Sequence, residues 1–137
     1  MTDWPEIAVG TAIPSLTRTI ELPDMIAYAG ATWDWHRLHY DPDYLAEKRL
    51  TRPVVDGQVF GALLVEALQD WLGPSAFVRS LEFRFAGMVF AGETVRCEGT
   101  VTDVTQATVS VNLRVVVAGE GERLAVAPAS AIIGRHR

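Results

Sequence analysis

Asp34, His36, His39 and Asp41 lie close together in the chain, flanked by Trp33, Trp35 and Tyr40. Carboxylates and imidazoles are the side chains that move protons near neutral pH. A carboxylate and an imidazole that share a small apolar volume can hold and deprotonate a water molecule. Asp34 and His39 would be the pair. Five residues apart, they would point about 140° from each other on a continuous helix, so they converge only if the backbone turns between them. The same residues admit blander readings. A surface loop with solvated histidines and tryptophans anchored in the core has the same composition. Asp34, His36, His39 and Asp41 are also all of metal-ligand type, with His36 and His39 at i, i+3, but the remaining histidine, His136, stands in the terminal tail.

The neighbouring elements must make the turn. The leading segment, with Pro5, Gly10 and Pro14, runs into a short strand from about Ser15 to Glu21. Pro23 fits the first turn of a helix, and Met25, Ile26, Tyr28 and Ala29 give it an apolar stripe ending near Gly30. Asp41-Pro42 reads as an N-cap followed by proline at the first helical position, so a short helix should run from Pro42 to about Arg49. The reactive stretch is then a loop held between two helices.

Val59, Phe60, Leu63, Leu64, Ala67, Leu68, Trp71 and Leu72 recur with helical spacing; Asp56 suits the N-cap, and Gly73-Pro74 ends the helix. Gly57, Gly61 and Ala62 leave its first turns bare, either for tight packing on a sheet or for close approach of a ligand. Its start, at Gly57 and Gln58, offers backbone N–H groups and the positive end of a dipole. That is what an oxyanion on a thioester carbonyl requires. Lys48, Arg49 and Arg52, with Arg37, form a basic cluster ahead of this helix that could meet the phosphates of a carrier such as coenzyme A or could be a solvated patch.

From Phe77 the period becomes two: Leu81, Phe83 and Phe85, then Val95, Cys97, Gly99 and Val101, then Val109 to Val117. Turns are expected at Thr105-Gln106 and Gly119-Glu120-Gly121. Pro128 interrupts a last strand, from about Arg123 to Ile133, and suggests an edge position or a bulge. The fold class expected is α+β, one domain over residues 1–137, with a long central helix wrapped by a mainly antiparallel five-stranded sheet. Two open sheet edges favour at least a dimer.

The 137 residues are 49% hydrophobic and 21% charged, with a net charge of −5 that disfavours nucleic acid as a partner. No apolar run is long enough for a membrane span, and the Met1–Pro5 start has no signal-peptide character, so the cytoplasm is the default location. The single Cys97 excludes an internal disulfide, sits in an alternating pattern and reads as a buried inert thiol. No serine or cysteine nucleophile motif is present.

The run Tyr28-Ala29-Gly30-Ala31-Thr32-Trp33-Asp34-Trp35-His36-Arg37-Leu38-His39-Tyr40-Asp41-Pro42, followed by Arg52-Pro53-Val54-Val55-Asp56-Gly57-Gln58, resembles a known signature. It is similar to that of the MaoC-like dehydratases and (R)-specific enoyl-CoA hydratases of the hot-dog fold. Their pattern is Asp-x-Asn-Pro-x-His, then Arg-Pro-Ile/Val-Val/Ala-His-Gly-Met. The likeness spans nearly the whole chain, including Val89-Phe90-Ala91-Gly92-Glu93-Thr94-Val95 before a strand. It departs at His36 (Asn in the family), Arg37 (Pro), Trp33 (a small residue) and Asp56 (His).

The resemblance implies hydration of a trans-2-enoyl-CoA thioester to the (R)-3-hydroxyacyl-CoA, or the reverse dehydration, without cofactor or metal. Asp34 would be the general base that also returns a proton to the α-carbon, His39 would position and polarise the water, and the Gly57 amide would hold the thioester oxygen. His36, Arg52 and Gln58 are the candidate substrate-binding residues. The expected assembly is a homodimer or a heterodimer with another hot-dog subunit. The same pattern also resembles small subunits of heteromeric hydratases acting on bulky steroid side-chain enoyl-CoA esters, where one chain shapes a site completed by another. An acyl-CoA thioesterase shares the fold and stands third.

Overall fold

The computed structural model describes residues 4 and 6–136. The sequence reading of Met1–Asp3 and Pro5 lies outside the described residues. Strand β1 (Leu16–Thr19) leads into helix α1 (Leu22–Thr32), a single 3₁₀ turn (Arg37–His39), helix α2 (Pro42–Glu47) and the long helix α3 (Gln58–Leu72). Four strands follow: β2 (Ala76–Phe85), β3 (Thr94–Val104), β4 (Thr108–Val117) and β5 (Arg123–Arg135). They form one five-stranded sheet in the order β1-β3-β4-β5-β2, antiparallel throughout. The α+β arrangement expected from the periodicities is the one observed.

The sheet wraps α3 because both elements carry one apolar face. Phe60, Leu63, Leu64, Ala67, Leu68 and Leu72 are buried on the helix, at the spacing of a single stripe. Against them stand alternate residues of the sheet, among them Val95, Cys97 and Val101 on β3, Val109, Val111 and Leu113 on β4, and Ala129, Ala131 and Ile133 on β5. Burial pushes the Cys97 thiol up to about 12, which leaves it a packing group. No described helix is long and apolar enough to cross a membrane.

Two expectations need correction. Pro128 is not on an edge, since β5 lies between β4 and β2. The bulge alternative holds: Ala129 pairs with Leu113 and Phe83, and Val126 pairs with Val115 and Phe85, so β5 carries one extra residue against both neighbours. The insertion takes Pro128, which has no N–H to give, out of the ladder; the Ala127-Pro128 peptide is cis. The second correction concerns Phe85, which alternation places inside but which is 59% exposed. β2 is an outer strand, and its inward face is only partly covered.

Phe83 and Phe85 explain the small residues of α3. A Cβ on Gly61 would lie 2.9 Å from the Phe83 ring, and one on Gly57 would overlap the Phe85 ring. The glycines therefore serve close helix-to-sheet packing.

Leu68 is fully buried on α3. Leu68→Ala should lower the unfolding free energy by about 2–5 kcal/mol, read from urea denaturation with an unchanged m-value.

Candidate active site

Helix α1 ends abruptly at Trp33, which adopts the left-handed conformation (φ 58°, ψ 31°) and donates its N–H to the Ala29 carbonyl. Asp34 also donates its N–H to Ala29, at 3.2 Å, so the chain folds back beneath the helix. Side chains then shape the next residues. The Asp34 carboxylate accepts the His36 N–H at 3.3 Å, and His36 Nδ1 accepts the Leu38 N–H at 3.0 Å, capping the 3₁₀ turn. Asp41 accepts the N–H groups of Asp43 and Tyr44 at 3.0 and 3.3 Å and takes the Arg37 guanidinium at 2.8 Å. This is the backbone turn that convergence of Asp34 and His39 demanded.

The turn is fastened to the segment before α3. His39 Nδ1 lies 2.7 Å from the Val54 carbonyl, and the Val54 N–H donates to the Leu38 carbonyl at 3.1 Å. A carbonyl only accepts, so Nδ1 carries the proton and, in the neutral ring, Nε2 keeps its lone pair. Nε2 faces two carboxylates: Asp34 Oδ2 at 4.0 Å and Asp56 Oδ2 at 3.8 Å. One donor-type atom from each of Asp34, His39 and Asp56 lies within 4.8 Å of the others. The two separations from Nε2 exceed a direct hydrogen bond and suit a water molecule bridging the ring to the carboxylates.

The pocket they share has an empty volume of about 200 Å³ including its open mouth, and Met25, Tyr28, Ala29 and Val59 complete its lining. Its apolar wall comes from α1 and α3. Trp33 is 78% exposed and packs edge-on against Trp35, which does the same against Tyr40. The two tryptophans, with Tyr40, form an outer aromatic row and are not core anchors.

Ionisation follows the geometry. The hydrogen bond shared with Asp56 holds the Asp34 carboxyl below the usual carboxylate range. Burial first, and then that same bond, push Asp56 above it. Burial, with the charges of Asp56 and Asp34, raises the Tyr28 hydroxyl. The more buried carboxyl is thus the one that holds a proton to the higher pH.

Of the candidate residues, Asp34 and His39 meet in this pocket, and Gly57 follows Asp56 at the start of α3. The Gly57 N–H has no acceptor among the described residues. The N-cap of α3 is Gly57 and not Asp56 as expected, because the helix starts one residue later, but Asp56 Oδ1 still takes the Gln58 N–H at 3.0 Å, and the Gln58 side chain is exposed. His36 is exposed and occupied in its cap, outside the lining. Arg52 donates to the Ala91 carbonyl at 3.2 Å and lies over the Phe90 ring, holding the 90–92 loop. Arg37 and Lys48 both sit against the Tyr44 ring, so these two share one support and Arg52 has another. The metal set of Asp34, His36, His39 and Asp41 is not assembled, because Asp41 caps α2.

Asp56 and Tyr28 are the site residues that sequence reasoning did not place. Asp56 had a visible signal, standing where the resembled pattern has histidine. Tyr28 lies six residues before Asp34 and could be found only by knowing that the chain doubles back under α1.

Residues 7–121 match the family described as "MaoC like domain". A Mycobacterium tuberculosis protein named 3-oxo-4,17-pregnadiene-20-carboxyl-CoA hydratase beta subunit is 28% identical over 105 residues, spanning 77% of this chain and 81% of its own length. The (R)-hydratase from A. caviae involved in PHA biosynthesis superposes with a TM-score of 0.85 at 25% identity, covering 94% of this chain and 97% of that one. The ChsH1-ChsH2 complex from Mycobacterium tuberculosis contributes a chain with a TM-score of 0.84 at 24% identity, covering 96% of this chain and all of that one, a likeness of fold.

If His36 serves the turn alone, His36→Asn, whose side-chain oxygen can also accept the Leu38 N–H, should match the wild type in thermal stability. His36→Ala should lose about 0.5–2 kcal/mol. Melting followed by circular dichroism compares the two.

Proposed function

The chain belongs to the MaoC-like domain family and has the hot-dog fold; on that premise we propose that it is a hydratase, adding water to a trans-2-enoyl-CoA thioester to give the (R)-3-hydroxyacyl-CoA, or running the reverse dehydration. One observation carries the reading: the Asp34 carboxylate and the His39 Nε2 lone pair face one small volume, 4.0 Å apart. A water there gives one hydrogen to each and turns its oxygen lone pairs towards the pocket. Asp34 takes the proton as the oxygen bonds to C3. The electron pair of the double bond moves to the thioester oxygen, which the Gly57 amide stabilises at the positive end of α3. Reprotonation at C2 from the carboxyl side completes the addition.

Gly57 enters this scheme through its N–H, and the Phe85 ring lies against its α-carbon. The acyl group must therefore approach along the N–H side or move that ring. His36 acts here as a support for the turn and Arg52 for the 90–92 loop, a narrower role than contact with substrate, while Gln58 joins the helix start through its backbone N–H.

A second reading is favoured by one observation. The curated relative is named a beta subunit of a hydratase, and β2, the outer strand of the sheet, leaves Phe85 largely exposed. Such an edge suits a second copy or a different hot-dog subunit that completes the acyl tunnel. In that case activity appears only with the partner present.

Loss of enoyl-CoA absorbance over a panel of acyl lengths and polycyclic acyl groups tests both readings, with the protein alone and after co-expression with candidate partner chains. No turnover in any arm would sink the hydratase reading. Asp34→Asn should lower kcat by at least about 10²-fold. Because Asp34 ionises below the usual carboxylate range, the acid limb of kcat/KM should fall below that range, activity being lost as pH drops through it.

A further inference from the structure

Asp56, just before the N-cap Gly57, is explained only in part as an acceptor for the helix start. One carboxylate oxygen, Oδ1, accepts the Gln58 N–H at 3.0 Å, which fixes the side chain's rotamer. Oδ2 is left to face the pocket, 3.8 Å from His39 Nε2 and beside Asp34. Asp56 is also the more enclosed of the two carboxyls, its side chain 14% exposed against 46% for Asp34. The groups that face it are Tyr28 from α1, Asp34 from the loop and His39 from the 3₁₀ turn, with Met25, Ala29 and Val59 supplying apolar surface. Two carboxylates so placed cannot both be charged cheaply, so a proton belongs between them. An acceptor for the helix start alone would leave Oδ2 without a purpose.

We infer that Asp56 is a positioning residue for the hydratase reaction: it retains a proton, donates it as a hydrogen bond to the Asp34 carboxylate, and so holds Asp34 ionised and aimed at the water shared with His39. This rests on the hydratase reading for its catalytic consequence, though not for the shared proton itself. No proton is consumed. Asp34 gains one from water and the carboxyl pair returns one to C2, so the pair again holds one proton after each cycle.

Asp56→Asn keeps an oxygen for the Gln58 N–H and an amide N–H for Asp34, while Asp56→Ala keeps neither. In the full chain, or in the active complex if a partner is needed, Asp56→Ala should lower kcat about 10²-fold with a smaller change in KM. It should also move the acid limb of the pH profile up towards the ordinary carboxylate range. Asp56→Asn should recover to within about tenfold of wild type and lack any alkaline limb owed to Asp56. Equal losses in both variants, or an unmoved acid limb in Asp56→Ala, would overturn the positioning role; circular dichroism checks that both are folded.

A second readout does not need turnover. Infrared difference spectra between wild type and Asp56→Asn should show a protonated carboxyl C=O band persisting above the ordinary carboxylate range in the wild type alone. Its absence would show both carboxyls ionised and refute the inference even if the enzyme is active. Its presence without turnover on any enoyl thioester would leave the shared proton standing and remove the hydratase reading.

Discussion

The hydrogen bond from His39 Nδ1 to the Val54 carbonyl, 2.7 Å long, joins two parts of the chain that otherwise have no reason to meet. It is reinforced by the Val54 N–H, which returns a bond to Leu38 in the same turn. The segment that receives it is itself held by backbone bonds from Val55 to Val89 and from Ala91 to Pro53. One bond thereby sets three things: the tautomer of His39, the distance from its free nitrogen to Asp34 and Asp56, and the placement of that pair at the start of α3. Second-group control of an imidazole in this way is what makes a ring nitrogen useful at a defined point.

The loop that presents Asp34 is built from small, separate contributions. His36, Asp34 and Asp41 each spend side-chain acceptors on nearby backbone N–H groups, interactions worth about 1 kcal/mol apiece. Against them stands Trp33, whose left-handed backbone costs roughly 1–2 kcal/mol. Where the resembled pattern relies on asparagine and proline, this chain uses a histidine cap and an Arg37–Asp41 pair. The turn is thus braced by ionisable side chains, which accounts for why conspicuous ones lie outside the pocket.

The sheet edge and the site are also connected. β2 is an outer strand, and its Phe83 and Phe85 rings fill the spaces left by Gly61 and Gly57 on α3. A shift of that edge therefore bears on the helix start and on the Gly57 amide. The inner face of β2 is only partly covered, and Phe85 stands exposed on it.

Period and punctuation were enough for the elements. The stripe from Phe60 to Leu72, the alternation from Leu81 to Val117 and the Asp41-Pro42 and Gly73-Pro74 signals are local properties, so the α+β fold, the bulge option at Pro128 and the need for a turn between Asp34 and His39 were legible. Tertiary structure decided what depends on distant neighbours. It set β5 in the sheet interior, put Trp33 and Trp35 outside the pocket, gave the glycines of α3 to phenylalanine rings, and joined Asp56 to Asp34 and His39. The reason is that a residue's type fixes what it can bond, whereas its protonation and its partners are set by the burial and charge that other segments bring to it. Asp56 shows the division: as a sequence it was a cap, and only the fold placed its second oxygen beside another carboxylate.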